Sequence, residues 1–190
     1  RLNHLWMSPF TLARQLIKAV EREAAYAAAG KPARIIAKMN ALLDESVIEA
    51  LYAASGAGVK IDLIVRGACA LRPRVPGLSD NIRVRSVIGR FLEHSRIFCF
   101  ANGGETEVYL SSADWMGRNL YRRIEVAFPV LDSALRARVV EEGLKPYLED
   151  TRDCWELMAD GSYIRPRVGR KKPLVSAQEL LVARLAEGKS

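Results

Sequence analysis

The tightest constraint on this chain is a pair of short β-type runs joined through a helix. Ile35-Ile36-Ala37 is apolar and leads into the polar Lys38 and Asn40. Asp44 is placed to cap a helix whose apolar face holds Val47, Ile48, Leu51 and Tyr52, and Gly56 and Gly58 close it. Lys60 to Val65 is the second run, ended by Arg66-Gly67. Strands linked by such a crossover favour parallel pairing in an α/β sheet. Ligands on parallel sheets gather beyond the carboxyl ends of the strands. Lys38, Asn40 and Arg66 all occupy such ends. Any one of them could be a solvated loop residue; the coincidence across two strands makes them candidates.

The remaining elements follow from the same patterning. Ser8-Pro9 predicts a helix start, with Leu12, Leu16, Ile17, Val20 and Ala24 as its apolar stripe and Gly30 and Pro32 as its stop. Residues 68–81 read as a loop. Ile82 to Val87 alternates, with Arg83 and Arg85 on one side. Arg96 to Phe100 predicts a buried strand. Asn102-Gly103-Gly104 is a tight-turn signal, and Glu107 to Leu110 is the returning strand. Ile124 to Val130 predicts another strand. Asp132 should cap a helix running to about Leu148, with Leu135, Val139, Val140 and Leu144 inward, and a last short helix spans 177–186. The reading is a single α/β domain over 1–173 followed by a helical tail over 174–190.

Composition removes several classes. The chain has 190 residues, 49% of them hydrophobic, enough for a core without disulfide or metal staples. No apolar run reaches the roughly 20 residues of a membrane-spanning helix, and no secretory signal opens the chain. Cys69, Cys99 and Cys154 are odd in number and form no CxxC pair, as expected of buried reduced thiols in a cytoplasmic protein. The chain opens on Arg1, which suggests a piece cut from a longer protein. The net charge of +7 is concentrated. Residues 66–96 hold seven arginines against two acids, and residues 162–173 hold Arg165, Arg167, Arg170, Lys171 and Lys172 against none. Guanidinium forks suit bidentate phosphate recognition. Aromatic residues amount to 7% and do not interleave with the basic ones, so sequence-specific nucleic-acid reading is disfavoured. Asp80 and Asp114 are too few for a dedicated metal site.

His94 is the residue most suited to chemistry; His4 reads as incidental. His94 and Arg96 precede an apolar strand, and on an extended segment residues i and i+2 point to one side, so both can face one phosphate. His-x-Arg before a strand resembles the phospholipase D superfamily's His-x-Lys motif. Leu110-Ser111-Ser112-Ala113-Asp114 resembles that superfamily's Gly-Ser-x-Asn motif. Asp114 stands for the usual asparagine and Arg96 for the usual lysine, while Ala101 falls where the completing aspartate is expected. These departures argue against an ordinary phosphodiesterase.

Longer strings point to one family. LIVRGAC at 63–69, SDNIR at 79–83, GRFLEHSR at 89–96, NGG at 102–104, YLSSADWM at 109–116, Arg118-Asn119 and RRIE at 122–125 resemble the C-terminal end of bacterial polyphosphate kinase, as do Ser8-Pro9 and KMN at 38–40. The resemblance runs in order from about residue 7 to residue 173. It implies a phospholipase D-like mixed sheet flanked by helices. It also implies reversible transfer of the terminal phosphate of ATP to polyphosphate, through a phosphohistidine in a preceding domain and with magnesium held mainly outside this one. His94 would then be the second active-site histidine, an acid or base at the transferring group. Arg66 and Arg123 would contact phosphates, with Lys38, Asn40, Arg96, Ser112 and Asp114 around them. The partners implied are polyphosphate, adenine nucleotide (ATP/ADP), the preceding domains and other copies of the full-length chain, a homo-oligomer. The chain alone should be inactive. Two readings compete: a homodimeric phospholipase D-like phosphodiesterase or nuclease, and a non-catalytic polyanion-binding or oligomerisation module.

Overall fold

The computed structural model describes residues 4–169 and 173–188. Strand β2 (Arg34–Met39), helix α2 (Glu45–Gly56) and strand β3 (Lys60–Val65) form the expected crossover, and β2 and β3 pair in parallel with Arg34 opposite Lys60 and Met39 opposite Val65. Asp44 caps α2 through a hydrogen bond from the Val47 amide at 3.2 Å. Strand β4 (Ile82–Val87) continues in parallel on β3. On the other side β5 (Arg96–Phe100) pairs antiparallel with β2, and β6 (Glu107–Ser111) returns against β5. Strands β1 (Trp6–Ser8), β7 (Glu125–Pro129), β8 (Cys154–Leu157) and β9 (Tyr163–Ile164) complete a nine-stranded mixed sheet of order β1-β7-β6-β5-β2-β3-β4-β8-β9.

The two sheet faces carry separate cores. Helix α1 (Leu12–Ala28) and α2 pack Leu12, Leu16, Val20, Val47 and Leu51 against Ile35, Ala37, Ile61, Leu63, Phe98 and Phe100. On the other face α4 (Ser133–Gly143), α5 (Lys145–Glu149) and α6 (Ala177–Ala186) bring Val140, Leu144, Tyr147, Ala177 and Leu181 onto Ile36, Ile64, Ile97, Cys99 and Val108. Alternate residues of β2 therefore enter different cores, as the period of a strand requires. Short helix α3 (Gly117–Tyr121) links β6 to β7. Among the described residues no helix is long and apolar enough to cross a membrane. The three cysteines are free, and burial pushes each thiol up to about 11.

Several sequence expectations change. Ser8 does not cap α1; it ends β1, and its hydroxyl points at the carbonyls of Asn119 (2.5 Å) and Arg123 (2.9 Å) while Thr11 occupies the cap position. The helix after Asp132 is broken at Gly143-Leu144, because Pro146 cannot sit inside a continuous helix. Leu135 is 55% exposed, facing an open groove it shares with Phe128 and Leu131. Ile124 is 83% exposed and lies outside β7.

One buried carboxylate ties α1 to the sheet. Glu23 is fully buried and accepts hydrogen bonds from the amides of Arg34 (2.9 Å) and Asn102 (2.6 Å). Burial raises its pKa against the lowering effect of those two amides. Glu23→Ala should leave both amides unpaired at a cost of about 2–4 kcal/mol. Thermal unfolding of the variant should shift down by roughly 5–15 °C, whereas Glu21→Ala on the exposed side should shift it little. Equal melting temperatures for the two variants would contradict this role.

Candidate functional site

The sheet topology gathers the candidates at one edge. The carboxyl ends of β2, β3 and β6 lie beside the amino ends of β5 and β7. Arg66 follows β3, Asn40 follows β2, His94 and Arg96 open β5, Ser112 and Asp114 follow β6, and Arg123 precedes β7. The loops are laced together there. Leu42 bridges to Cys69 and to Trp115, and the Trp115 carbonyl accepts from the amides of Leu43 (2.8 Å) and Asp44 (3.0 Å). The Trp115 ring is fully buried against Phe98, with centroids 5.0 Å apart, which fixes its neighbour Asp114.

Asp114 is the hub. Its carboxylate takes a bidentate pair from Arg96, Nε to Oδ1 at 3.1 Å and a terminal nitrogen to Oδ2 at 2.9 Å. Oδ1 also accepts from the Asn40 amide (2.6 Å), the Asn40 side chain (3.3 Å) and the Ala41 amide (3.3 Å). Asn40 in turn accepts from Arg66 Nε at 3.0 Å. The Arg96 guanidinium lies against the exposed His94 ring, with a terminal nitrogen 3.4 Å from each ring nitrogen, and donates to the His94 carbonyl at 3.0 Å. One connected network thus runs from Arg66 through Asn40, Asp114 and Arg96 to His94. Gly67 permits it: its amide donates to the Asn40 carbonyl at 2.9 Å, and a Cβ there would sit 2.9 Å from that oxygen. Burial pulls Asp114 up, but Arg96 and the backbone amides outweigh it, and the carboxyl lies below its usual 3.8.

Three candidates stand apart from this network. Lys38 is 3% exposed, pairs with Glu93 at 2.7 Å, and sits 3.3 Å from the centroid of the Tyr147 ring. It is committed to the interior and presents no charge to a ligand. Ser112 is exposed, and its hydroxyl bonds Glu125 at 2.5 Å. Arg123 is exposed, with no side-chain partner among the described residues, and its backbone is held by Arg118 and Ser8. Glu93 and Glu125 lie inside the strings quoted above but had no role read for them, and Gln178 lies in none.

Most arginines of the 66–96 stretch are engaged by the chain itself, although Arg72, Arg83 and Arg90 remain exposed. Arg72 donates to the Ala159 carbonyl, Arg74 pairs with Glu156, Arg83 donates to the Asp80 carbonyl, and Arg85 reaches the carbonyls of Tyr147 and Leu148 at the end of α5. Arg66, at the network's edge, bonds through Nε and keeps its terminal nitrogens unpaired among the described residues. In the tail Arg165 stacks over Trp155 at 4.5 Å, while Arg170, Lys171 and Lys172 lie outside the described residues. Among the described residues no three His, Cys, Asp or Glu converge, and both Asp114 oxygens are engaged by Arg96.

Comparison with known proteins now bears on this edge. The family described as Polyphosphate kinase C-terminal domain 2 matches residues 5–178. The chain belongs to this family. Polyphosphate kinase of Burkholderia cenocepacia (strain HI2424) is 58% identical over 183 residues, covering 96% of this chain and 26% of that protein. The Burkholderia vietnamiensis (strain G4 / LMG 22486) enzyme is 60% identical over 169 residues, 89% of this chain and 25% of its own. The crystal structure of Porphyromonas gingivalis polyphosphate kinase superposes with a TM-score of 0.93 at 42% identity, covering 100% of this chain and 29% of that one. This polyphosphate kinase domain therefore spans about a quarter of the length of its relatives. Its fold is also that of the phospholipase D family member Nuc from Salmonella typhimurium, with a TM-score of 0.53, 13% identity and coverage of 73% and 88%. The mixed sheet flanked by helices is thus the phospholipase D-like fold.

The Asp114–Arg96 pair is buried, at 9% and 12% side-chain exposure. Removing one partner of such a pair costs about 3–5 kcal/mol, so Asp114→Ala should lose that much in urea unfolding at neutral pH. Because the folded carboxyl titrates below its unfolded value, its stabilisation is complete above 3.8 and disappears as pH falls through the lowered folded value. The gap between parent and variant should narrow over that acid interval. A gap below about 1 kcal/mol, or one indifferent to pH, would contradict the hub role.

Proposed function

We propose that this domain is the C-terminal catalytic half of a polyphosphate kinase that transfers the terminal phosphate of ATP reversibly to polyphosphate. The phosphohistidine that carries the phosphoryl group belongs to a preceding domain of the longer enzyme. The observation that carries the reading is the single network that aligns Arg66 and His94 on one sheet edge while the Asp114–Arg96 pair holds them.

Phosphoryl transfer asks for neutralised charge on the transferred group and for in-line positioning. Arg66 presents its terminal nitrogens to phosphate oxygens, with Nε already oriented by Asn40. His94, exposed beside Arg96, serves as the acid or base that exchanges a proton with the transferring group. Arg123 supplies a second cation at the same edge. Ser112 lines this edge, and Lys38 supports it from beneath through its pair with Glu93. The nucleophilic histidine, the magnesium and the remaining phosphate contacts come from outside these residues, and full-length copies associate as a homo-oligomer in the cytoplasm.

A hydrolase reading is less favoured for a physical reason. At the two positions where the superfamily has lysine and asparagine, Arg96 and Asp114 neutralise one another. That leaves no net cation from the motif itself, and Arg66, outside the motif, must supply it. A purely non-catalytic role gives His94 no reason to stand exposed at the end of such a network.

In the full-length enzyme His94→Ala should lower kcat by about 10²–10⁴-fold with the fold intact. Arg66→Ala should weaken ATP binding by roughly 10–100-fold, the loss of charge-assisted contacts, with little change in melting temperature. Steady-state transfer assays with circular dichroism on both variants test this; full activity in His94→Ala would overturn it. Residues 1–190 alone should synthesise no polyphosphate from ATP, and robust turnover would count against a half-site.

A further inference from the structure

His94 sits near the end of an eight-residue connection, 88–95, with no strand or helix of its own. Ile88, Phe91 and Leu92 in that connection are 60%, 51% and 72% exposed. A loop so poorly packed would wander, yet it is held at three points. The Ile88 amide donates to the Asp153 carbonyl at 3.1 Å. The Gln178 side-chain amide, itself 6% exposed, pairs with both backbone groups of Phe91: Oε1 accepts from the amide at 2.9 Å and Nε2 donates to the carbonyl at 2.9 Å. Gln178 Nε2 also donates to Glu93 Oε1 at 2.7 Å, while Glu93 Oε2 takes the buried Lys38 ammonium at 2.7 Å.

We propose that Gln178, acting with Glu93 and Lys38, is a positioning residue for His94: the first turn of α6 and strand β2 grip the residue before the histidine from opposite sides. The proposal rests on the reading of His94 given above. It assigns to the last helix a part in the site although it contributes no group to the phosphate-facing edge.

The geometry suits a splint. One side-chain amide satisfies both hydrogen-bonding groups of Phe91, as a neighbouring strand would, so the loop gains strand-like restraint without becoming a strand. The start of α6 is itself fixed: Asp150 Oδ2 accepts from the Ala177 amide at 2.7 Å and the Ser176 hydroxyl donates to Asp153 at 2.7 Å. Both oxygens of Glu93 are used, one by the helix and one by the sheet. Gly89 leaves the room needed, since a Cβ there would collide with the Gln178 amide oxygen. A reacting group misplaced by about 1 Å can cost a hundredfold in rate, so restraint on Phe91 and Glu93, the residues leading into the histidine, bears directly on its placement.

The test pairs a structural readout with a kinetic one. In the 190-residue chain, Gln178→Ala should raise amide hydrogen exchange at Phe91 at least tenfold and leave the amides of β2 and β3 unchanged. In the full-length kinase the same replacement should lower kcat about 10–100-fold, with KM for ATP within about threefold. Gly89→Ala should give the same pair of effects by pushing the amide away, and it serves if Gln178→Ala does not fold. Unchanged Phe91 exchange in a folded variant overturns the splint. A loosened loop with an unchanged kcat, in an enzyme where His94→Ala abolishes transfer, overturns the positioning role and leaves the reading of His94 standing. Full activity in His94→Ala overturns both.

Discussion

A carboxylate taken out of water has to be matched by donors, and at Asp114 the matching dictates where everything else at this sheet edge can lie. Its oxygens bind a guanidinium from β5, two backbone amides and a side-chain amide from the segment after β2, and through Asn40 they reach the arginine after β3. Four chain segments distant in sequence are thereby held to one point. The geometry tolerates no drift, because moving any one segment would strand a buried charge. Trp115, packed on Phe98, keeps the aspartate from retreating.

This arrangement divides the cations by task. Arg96 is spent on Asp114, Lys38 on Glu93, Arg74 on Glu156, and Arg85 on the carbonyls at the end of α5. These groups build the edge and its supports. Arg66 has its inner nitrogen anchored and its outer ones open, which is the condition of a group preorganised for a ligand. Part of the charge surplus in sequence thus became wiring between segments, while Arg72, Arg83, Arg90, Arg165 and Arg167 stay exposed.

The sequence made the strand ends legible because β2 and β3 carry the apolar runs Ile35–Ala37 and Leu63–Val65, with Lys38 and Asn40 after the first and Arg66 after the second. Asp44 was equally legible as a cap, since it stands directly before the helical run; the Tyr121 hydroxyl also donates to its Oδ1 at 3.4 Å. Ser8 was not: a hydroxyl before proline suits a helix cap or a strand end, and the carbonyls that decide it lie 111 and 115 residues on. Strands β8 and β9, at one end of the sheet, are short and of mixed polarity and carry no period to detect. The interior fate of the arginines depends on partners such as Glu156 and the carbonyls of Ala159 and Leu148, which local pattern does not reveal. Gln178 escaped notice for the same reason, since only the folded chain brings it to Phe91. Asp114 and Arg96 were found through motif spacing, but their mutual neutralisation is a property of the assembled edge.

The central claim is that Arg66 and His94 share one anion. Nuclear magnetic resonance titration of the 190-residue chain with millimolar tripolyphosphate tests it directly. The Arg66 side-chain Nε–H and the His94 ring protons should shift together along one binding curve, while the Nε–H signals of the internal Arg74 and Arg85 stay still. Shifts confined to Arg165 and Arg167, or separate curves for residues 66 and 94, would contradict the account.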